Sequence, residues 1–221
     1  MKLSIIIPAY NEASVILQTL KQLREKHHPD EVIVVDGGSE DDTCTLAQSW
    51  AQVIYSEKGR ASQMNAGAKQ ATGDIFLFLH ADTVLPMNGL KDIQQVIESG
   101  KQAGRFRLQF DDTSWQMKLY ASYTRFPFFS YGDQGFFVTR AVFEQLNGFD
   151  VKVPFEDIDF YKRLSQITKP VILKSAVTTS ARRFQSVGRA KQKWVNFWLV
   201  LLYYLGVDIF WLKKKFYPDI R

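Results

Sequence analysis

Cysteine and histidine are almost missing from this 221-residue chain, which has one Cys (Cys44) and three His. A lone thiol cannot close an internal disulfide, so a disulfide-stapled fold is excluded and a reducing compartment fits. So few soft ligands cannot make a Cys/His zinc site, and any metal must lean on carboxylates. A clean apolar run of bilayer length, roughly twenty residues, is also lacking. The best candidate, residues 194–212, is broken by Asn196, Gly206 and Asp208. Lys2 is followed only by a short apolar run ending at Pro8, unlike a secretory leader, so a cytoplasmic location is expected. Basic excess is absent from most of the chain: residues 181–221 carry +7 of an overall +5, leaving the first 180 residues at −2. A nucleic-acid-binding domain would spread its positive charge over the body of the fold, so nucleic acid is excluded as a partner. A basic tail interleaved with aromatics points to an anionic membrane surface or a phosphate-bearing ligand. What remains, 46% hydrophobic and 23% charged residues, is the balance of a folded globular protein.

The first half of the chain alternates short apolar runs with helix-period segments. Residues 3–8, 31–36, 52–55 and 75–79 read as strands. Residues 12–26 (Ile16, Leu20 and Leu23 at helical spacing), 43–50 and 60–71 read as helices. Such repetition predicts an α/β fold with a mostly parallel, Rossmann-like sheet whose ligands sit at the carboxyl ends of its strands. After Pro86 the pattern changes. Residues 102–110 alternate, Phe106, Leu108 and Phe110 against Arg105, Arg107 and Gln109, which predicts a half-exposed antiparallel strand. Strands at 135–139 and 171–174 and a helix at 156–167 complete one domain, 1–185, followed by a C-terminal helical appendage, 186–221.

Four constellations fall at predicted strand or helix ends. In Pro8-Ala9-Tyr10-Asn11-Glu12 an aromatic ring beside polar groups suits a nucleobase, although Asn11 is equally a helix cap. In Val35-Asp36-Gly37-Gly38-Ser39-Glu40-Asp41-Asp42-Thr43 the glycines, Gly38 among them, let backbone approach a ligand. Asp36 can accept hydrogen bonds from a base or ribose, unless the stretch is simply a tight capped turn. Leu79-His80-Ala81-Asp82-Thr83 places a carboxylate where Mg²⁺ or Mn²⁺ would bridge diphosphate oxygens, with His80 a second ligand, a ribose contact or an ordinary strand-end histidine. Phe155-Glu156-Asp157-Ile158-Asp159 opens a helix, and its acids are either dipole partners or a base for an attacking hydroxyl.

In this order, these motifs resemble the family 2 glycosyltransferases of the GT-A fold. The resemblance also covers Arg60, Asn65-Ala66-Gly67, Ala71-Thr72-Gly73-Asp74, Leu146-Asn147-Gly148-Phe149-Asp150 and Arg163-Leu164. His80-Ala81-Asp82 and Tyr131-Gly132-Asp133-Gln134-Gly135 are similar to a bacterial subgroup associated with radical-SAM/selenodomain proteins. The resemblance implies a nucleoside pocket, usually for uridine, lined by Pro8, Tyr10, Glu12 and Asp36, with Arg60 and Asn65 reaching the base or phosphates. It implies metal binding at Asp82 and a general base at Asp157, with Glu156 as the local rival, and sugar transfer from a nucleotide sugar to an acceptor hydroxyl. Asp133, Gln134, Arg182 and Arg183 become candidates for the acceptor or the diphosphate.

Departures refine these expectations. The second of two aspartates after strand two is Gly37, and the first aspartate of the family's Asp-x-Asp is His80, so one anionic contact is missing. The Gln-x-x-Arg-Trp motif of processive members is absent, so non-processive transfer is expected. A nucleotide-sugar pyrophosphorylase would need a glycine-rich basic loop after strand one, and a dehydrogenase Gly-x-Gly-x-x-Gly; neither is present. A catalytically silent nucleotide-binding module is countered by Asp82 and Asp157. Residues 194–212, flanked by lysines, are expected to pack on the domain or a second copy, or to lie on the inner face of a membrane near a lipid-linked or small acceptor.

Overall fold

The computed structural model describes residues 1–126 and 132–182, and in the C-terminal segment residues 195, 198, 199, 201–203, 205 and 207. The predicted boundary at 185/186 and Arg183 lie outside them. An eight-stranded mixed sheet runs in the order β3-β2-β1-β4-β7-β6-β8-β5. Its first four strands to form in the chain are β1 (Leu3–Ala9), β2 (Glu31–Asp36), β3 (Gln52–Tyr55) and β4 (Ile75–Phe78). They pair in parallel, with Ala9 opposite Asp36 and Asp36 opposite Tyr55, so their carboxyl ends stand side by side. The second half supplies β5 (Thr83–Val84), β6 (Ala103–Phe110), β7 (Phe136–Thr139) and β8 (Val171–Thr179). β7 runs antiparallel to both β4 and β6, β8 runs parallel to β6, and β5 pairs antiparallel with β8. The expected parallel core with antiparallel additions is therefore present.

Both faces of the parallel half are covered, which is why its strands read as continuous apolar runs rather than alternating ones. Leu3, Ile5 and Ile7 of β1 join Ile16 and Leu20 of α1 (Ala13–Gln22) and Ile93 of α4 (Gly89–Glu98) on one side. Ile6 joins Ala61, Met64 and Ala68 of α3 (Arg60–Gln70) on the other. α3 lies so close to the sheet that a Cβ on Gly67 would collide with the Ile6 and Val35 side chains, so only glycine fits there. The remaining helices are α2 (Thr43–Ala47), α5 (Trp115–Tyr123), α6 (Arg140–Gln145) and α7 (Glu156–Ile167).

Two expectations need correction. The helix predicted to reach Lys26 ends its α-helical hydrogen bonding at Gln22 and continues as a π-helical turn, Leu23–His27, that closes at left-handed His28 (φ 46°). The sequence reading assigns no helix at α4, α5 or α6, although Leu90, Ile93, Val96 and Ile97 recur at helical spacing in α4. β6 is not half-exposed over its whole length. Arg105, assigned to the solvent face, is 1% exposed, because α5 and the turn after it cover that part of the strand.

Candidate functional site

At the carboxyl ends of β1 and β2 the two following loops are stitched together. Asn11 adopts a left-handed conformation (φ 53°), its amide donates to Ser39 Oγ at 2.9 Å, and its Oδ1 accepts from the Glu40 amide at 2.9 Å. It does not cap α1; that position falls to Glu12, and Asp41 reaches across from the neighbouring loop to accept from the Ala13 amide at 3.1 Å. Asp36 is 1% exposed, and its Oδ2 accepts from the Gly38 and Ser39 amides at 2.8 and 2.9 Å while its Oδ1 takes the Ser39 hydroxyl. The carboxylate expected to meet a ribose or base is thus turned inward to hold the turn. Gly38, at φ 88°, has no neighbour within 4 Å of where a Cβ would stand, which leaves its backbone open to approach. Pro8 is buried inside β1, and the half-exposed Tyr10 ring is the aromatic surface beside these loops, with Lys58 Nζ 3.7 Å from its centroid. Gln63, fully buried on α3, donates from Nε2 to the Ala9 and Val35 carbonyls at 2.7 and 2.8 Å and so ties the two strand ends together.

Beyond this stitched edge lies a three-member charge cluster. Arg182, just past β8, donates to Glu12 Oε2 at 3.0 Å and to Asp82 Oδ2 at 2.9 Å, and its Nη1 lies 3.3 Å from Ser14 Oγ. Two carboxylates from the ends of β1 and β4 therefore converge on one cation, a donor set of hard oxygens that suits Mg²⁺ or Mn²⁺ completed by phosphate oxygens and water. Among the described residues no group of three or more His, Cys, Asp and Glu side chains is placed to hold a metal by itself. His80 points elsewhere: its Nε2 and Asp157 Oδ2 each lie within 3.3 Å of where a Cβ on Gly132 would stand. Glycine at 132 thus lets the loop pass between these two side chains.

α7 begins at the other side of this loop. Its first residue, Glu156, is 5% exposed and paired with Arg60 Nε at 3.0 Å, so Arg60, expected at the base or phosphates, faces the acids of α7 instead. Asp157 Oδ2 accepts from the Gly132 amide at 2.6 Å and Oδ1 from the Ile158 amide at 2.9 Å. Burial raises the Asp157 pKa above the ordinary carboxylate range, and the negative charge of Glu156 adds to the rise. Asp133, in the short 3₁₀ turn Gly132–Gln134, has a buried Oδ1 without a hydrogen-bond partner. Burial, then repulsion from Asp157, push its pKa up to about 7. Gln134 is fully buried beside it.

His80, Glu156 and Asp157 share a cleft with Met64, Phe78, Phe136, Phe149, Phe160 and Tyr161. Its apolar wall is a set of interlocked rings, with Phe78–Phe149 and Phe149–Phe160 centroids 5.0 and 4.5 Å apart. Asn65, expected at the nucleotide, holds this wall in place: its Nδ2 donates to the Phe149 carbonyl at 2.8 Å and its Oδ1 accepts from the Phe149 amide at 2.9 Å. Both ends of the amide are engaged by the backbone of Phe149.

Sequence reading missed Arg105, which also lines the cleft. Its guanidinium donates to the Thr124 and Phe126 carbonyls at 2.8 and 2.9 Å and lies 5.7 Å from the Tyr161 ring centroid. Burial draws its pKa down, while Tyr161 and Asp133 oppose the shift. An arginine in an alternating strand looks like a solvent-facing residue, and only the covering helix reverses that. Gln63 likewise carried no signal beyond a polar residue in an alanine-rich helix.

The sequence pattern of Glycosyl transferase family 2 matches residues 4–155 of this chain. An uncharacterized glycosyltransferase of Nostoc sp. is 32% identical over 113 residues, 47% of this chain and 35% of the relative. An undecaprenyl-phosphate 4-deoxy-4-formamido-L-arabinose transferase of Pseudomonas savastanoi is 28% identical over 127 residues, 51% of this chain and 38% of the relative. The chain therefore spans little more than a third of the length of these curated relatives. In structure it is similar to S. aureus TarS 1-349 solved with UDP-GlcNAc, with a TM-score of 0.66 at 20% identity over 81% of this chain and 58% of that one. It is also similar to a mannosyltransferase from Pyrobaculum calidifontis solved with GDP-Man and Mn²⁺, with a TM-score of 0.62 at 22% identity over 81% of this chain and 56% of that one. These likenesses fix the fold as GT-A.

Proposed function

The chain belongs to glycosyl transferase family 2, and from that premise we propose that it transfers a sugar from a nucleotide-sugar donor, UDP-linked, to an acceptor hydroxyl, one unit at a time and with inversion. The observation that carries this reading is Asp157, a half-buried carboxylate with a raised pKa, fixed by two backbone amides at the mouth of an apolar cleft. In the proposed reaction the acceptor hydroxyl lies in that cleft and its oxygen attacks the anomeric carbon as Asp157 takes its proton. The bond from that carbon to the donor phosphate breaks, and its electrons leave with the diphosphate. Tyr10 and the open backbone at Gly38 face the nucleoside. Arg182, held by Glu12 and Asp82, meets the diphosphate, where a guanidinium pairs well with phosphate oxygens. Mg²⁺ or Mn²⁺, held by Asp82 with Glu12, would neutralise charge on the departing diphosphate. His80-Ala81-Asp82 and residues 131–135 support placing the chain in the radical-SAM/selenodomain-associated subgroup.

The acceptor is proposed to be lipid-linked, in keeping with the polyprenyl-phosphate acceptor named for one relative. The protein would then work at the cytoplasmic face of a membrane. The C-terminal segment is consistent with such an anchor and with packing as well. Leu199 is 3% exposed and Tyr203 stands edge-on to Phe155, while Trp198 and Leu205 are 50% and 68% exposed. Among the described residues no helix is long and apolar enough to cross a membrane.

Calorimetric titration tests the donor site. UDP should bind in preference to ADP, and Mn²⁺ should strengthen the binding. Asp82→Ala should abolish the metal's contribution while uridine affinity persists. An equal metal enhancement in the variant would remove Asp82 from the metal site, and equal affinity for ADP would overturn the donor assignment.

A further inference from the structure

The helix α5 has two apolar faces, and only one of them is spent on the core. Met117 and Thr124 are 0% and 1% exposed, and Tyr120 packs on Phe110 with centroids 5.9 Å apart. On the opposite side Trp115, Leu119 and Tyr123, spaced by four residues, are 70%, 45% and 42% exposed, and Phe126 in the following turn is 58% exposed. At 100° per residue these side chains form one stripe. The exposed Lys118 and Arg125 run along one edge of it. No acid lies within the helix; of the two that precede it, Asp111 accepts from the Ala181 amide just past β8 at 2.7 Å and Asp112 from the Ser114 amide at 2.9 Å.

We propose that α5 docks on an anionic phospholipid surface, with Trp115, Leu119, Tyr123 and Phe126 in the interfacial layer and Lys118 and Arg125 against lipid phosphates. Aromatic rings beside cations on a surface-lying helix are the chemistry of the bilayer interface, where indole and phenol sit at headgroup level and basic side chains meet anionic lipid. A second copy of the chain is a poorer occupant. At 1.5 Å per residue α5 is about 14 Å long and with its side chains roughly 11 Å across, a strip on the order of 150 Å², well short of the roughly 800 Å² per partner of a standard interface. The docked face also has a geometric consequence. The carbonyls of Thr124 and Phe126, at the end of the stripe, are gripped by Arg105, and Arg105 lines the cleft that holds Asp157. Docking would therefore set the cleft beside the lipid surface, and the identification of that cleft as the acceptor site rests on the transfer reading above.

The test reads α5 directly. In full-length protein carrying Cys44→Ser and Leu119→Cys, an environment-sensitive fluorophore on position 119 should shift to the blue and brighten when phosphatidylglycerol-containing vesicles are added. It should not respond to phosphatidylcholine vesicles, and about 0.5 M salt should suppress the response by screening. Lys118→Glu with Arg125→Glu should weaken vesicle partitioning tenfold or more. An unshifted label on protein that floats with vesicles would overturn the proposal, because another segment would then be docking. So would a shift without vesicles that accompanies a doubling of molecular mass, which would identify a second copy as the occupant. UDP affinity measured on the same charge-reversed variant should be unchanged. Failure of the unsubstituted chain to bind UDP would strike the transfer reading alone and leave the docking result standing.

Discussion

Asp36 and Asp133 both stand at turns beside the same sheet, one at the end of β2 and the other just before β7. Asp36 gives both oxygens to three donors from its own loop, whereas Asp133 keeps a buried Oδ1 with none. The same contrast separates the halves of the molecule. On the β1–β2 edge Asp36 is consumed within its own turn, and Asp41 and Asn11 in cross-loop hydrogen bonds. Around α7 burial and neighbouring acids raise both Asp133 and Asp157. A carboxylate whose oxygens are spent on the hydrogen bonds of its own and neighbouring loops builds a rigid surface for binding. One that is buried among other acids is destabilised as an anion and is correspondingly ready to take a proton.

The contrast is broken most directly at Asp157. Asp157→Asn is nearly isosteric and cannot accept a proton, so turnover should fall by about 10²–10⁴-fold while UDP affinity is retained. Glu156→Gln should lower turnover much less, since Glu156 is occupied by Arg60. Transfer assays on both variants decide the matter, and near-normal turnover in Asp157→Asn with loss in Glu156→Gln would reverse the assignment. In the unsubstituted protein, turnover should rise with pH through the raised Asp157 pKa, because the base must be ionised to act.

Asp133 sharpens the comparison through stability. Its folded pKa, about 7, exceeds the ordinary 3.8, so between those values the folded state binds more protons than the unfolded state and stability falls as pH rises. Below pH ~4 both states are protonated and there is no penalty; above pH ~7 the penalty is complete. Asp133→Asn should therefore stabilise the protein at pH ~8, by on the order of 1–4 kcal/mol, with the gain vanishing near pH ~4. Denaturant melts at the two pH values measure this, and an equal effect at both would remove ionisation as the cause.

The smallest effect belongs to the paired half. Asp41→Ala removes acceptors for the Ala13 and Thr43 amides, which should cost about 0.5–1 kcal/mol because the residue is exposed and water can replace it. A loss of several kcal/mol in the same melts would mean that the stitched loops behave as core.

The strands of the parallel half were legible because burial on both faces writes itself as uninterrupted apolar runs, and the loops were legible because strand ends concentrate glycine and acid. The partners of those loop residues were not legible. Nothing local says that Asp36 turns inward, that Asn65 grips the backbone of Phe149, or that Arg60 reaches Glu156. Each of those outcomes depends on segments brought together only by the sheet. Arg105 was misplaced for the same reason, since the alternation of β6 is a true pattern whose outer face happens to be covered.

The Arg182 cluster has a consequence for how the protein is made. Glu12 and Asp82 lie in the loops after β1 and β4, strands that leave the ribosome early, and the guanidinium that joins them follows Asp82 by a hundred residues. At roughly 5–20 residues per second, β1 to β4 spend about 5–20 s exposed as a nascent sheet with this pair of acids uncompensated. Charge balance at this edge is thus acquired late in synthesis, when the segment after the last strand of the sheet delivers its arginine to the acids beside the first.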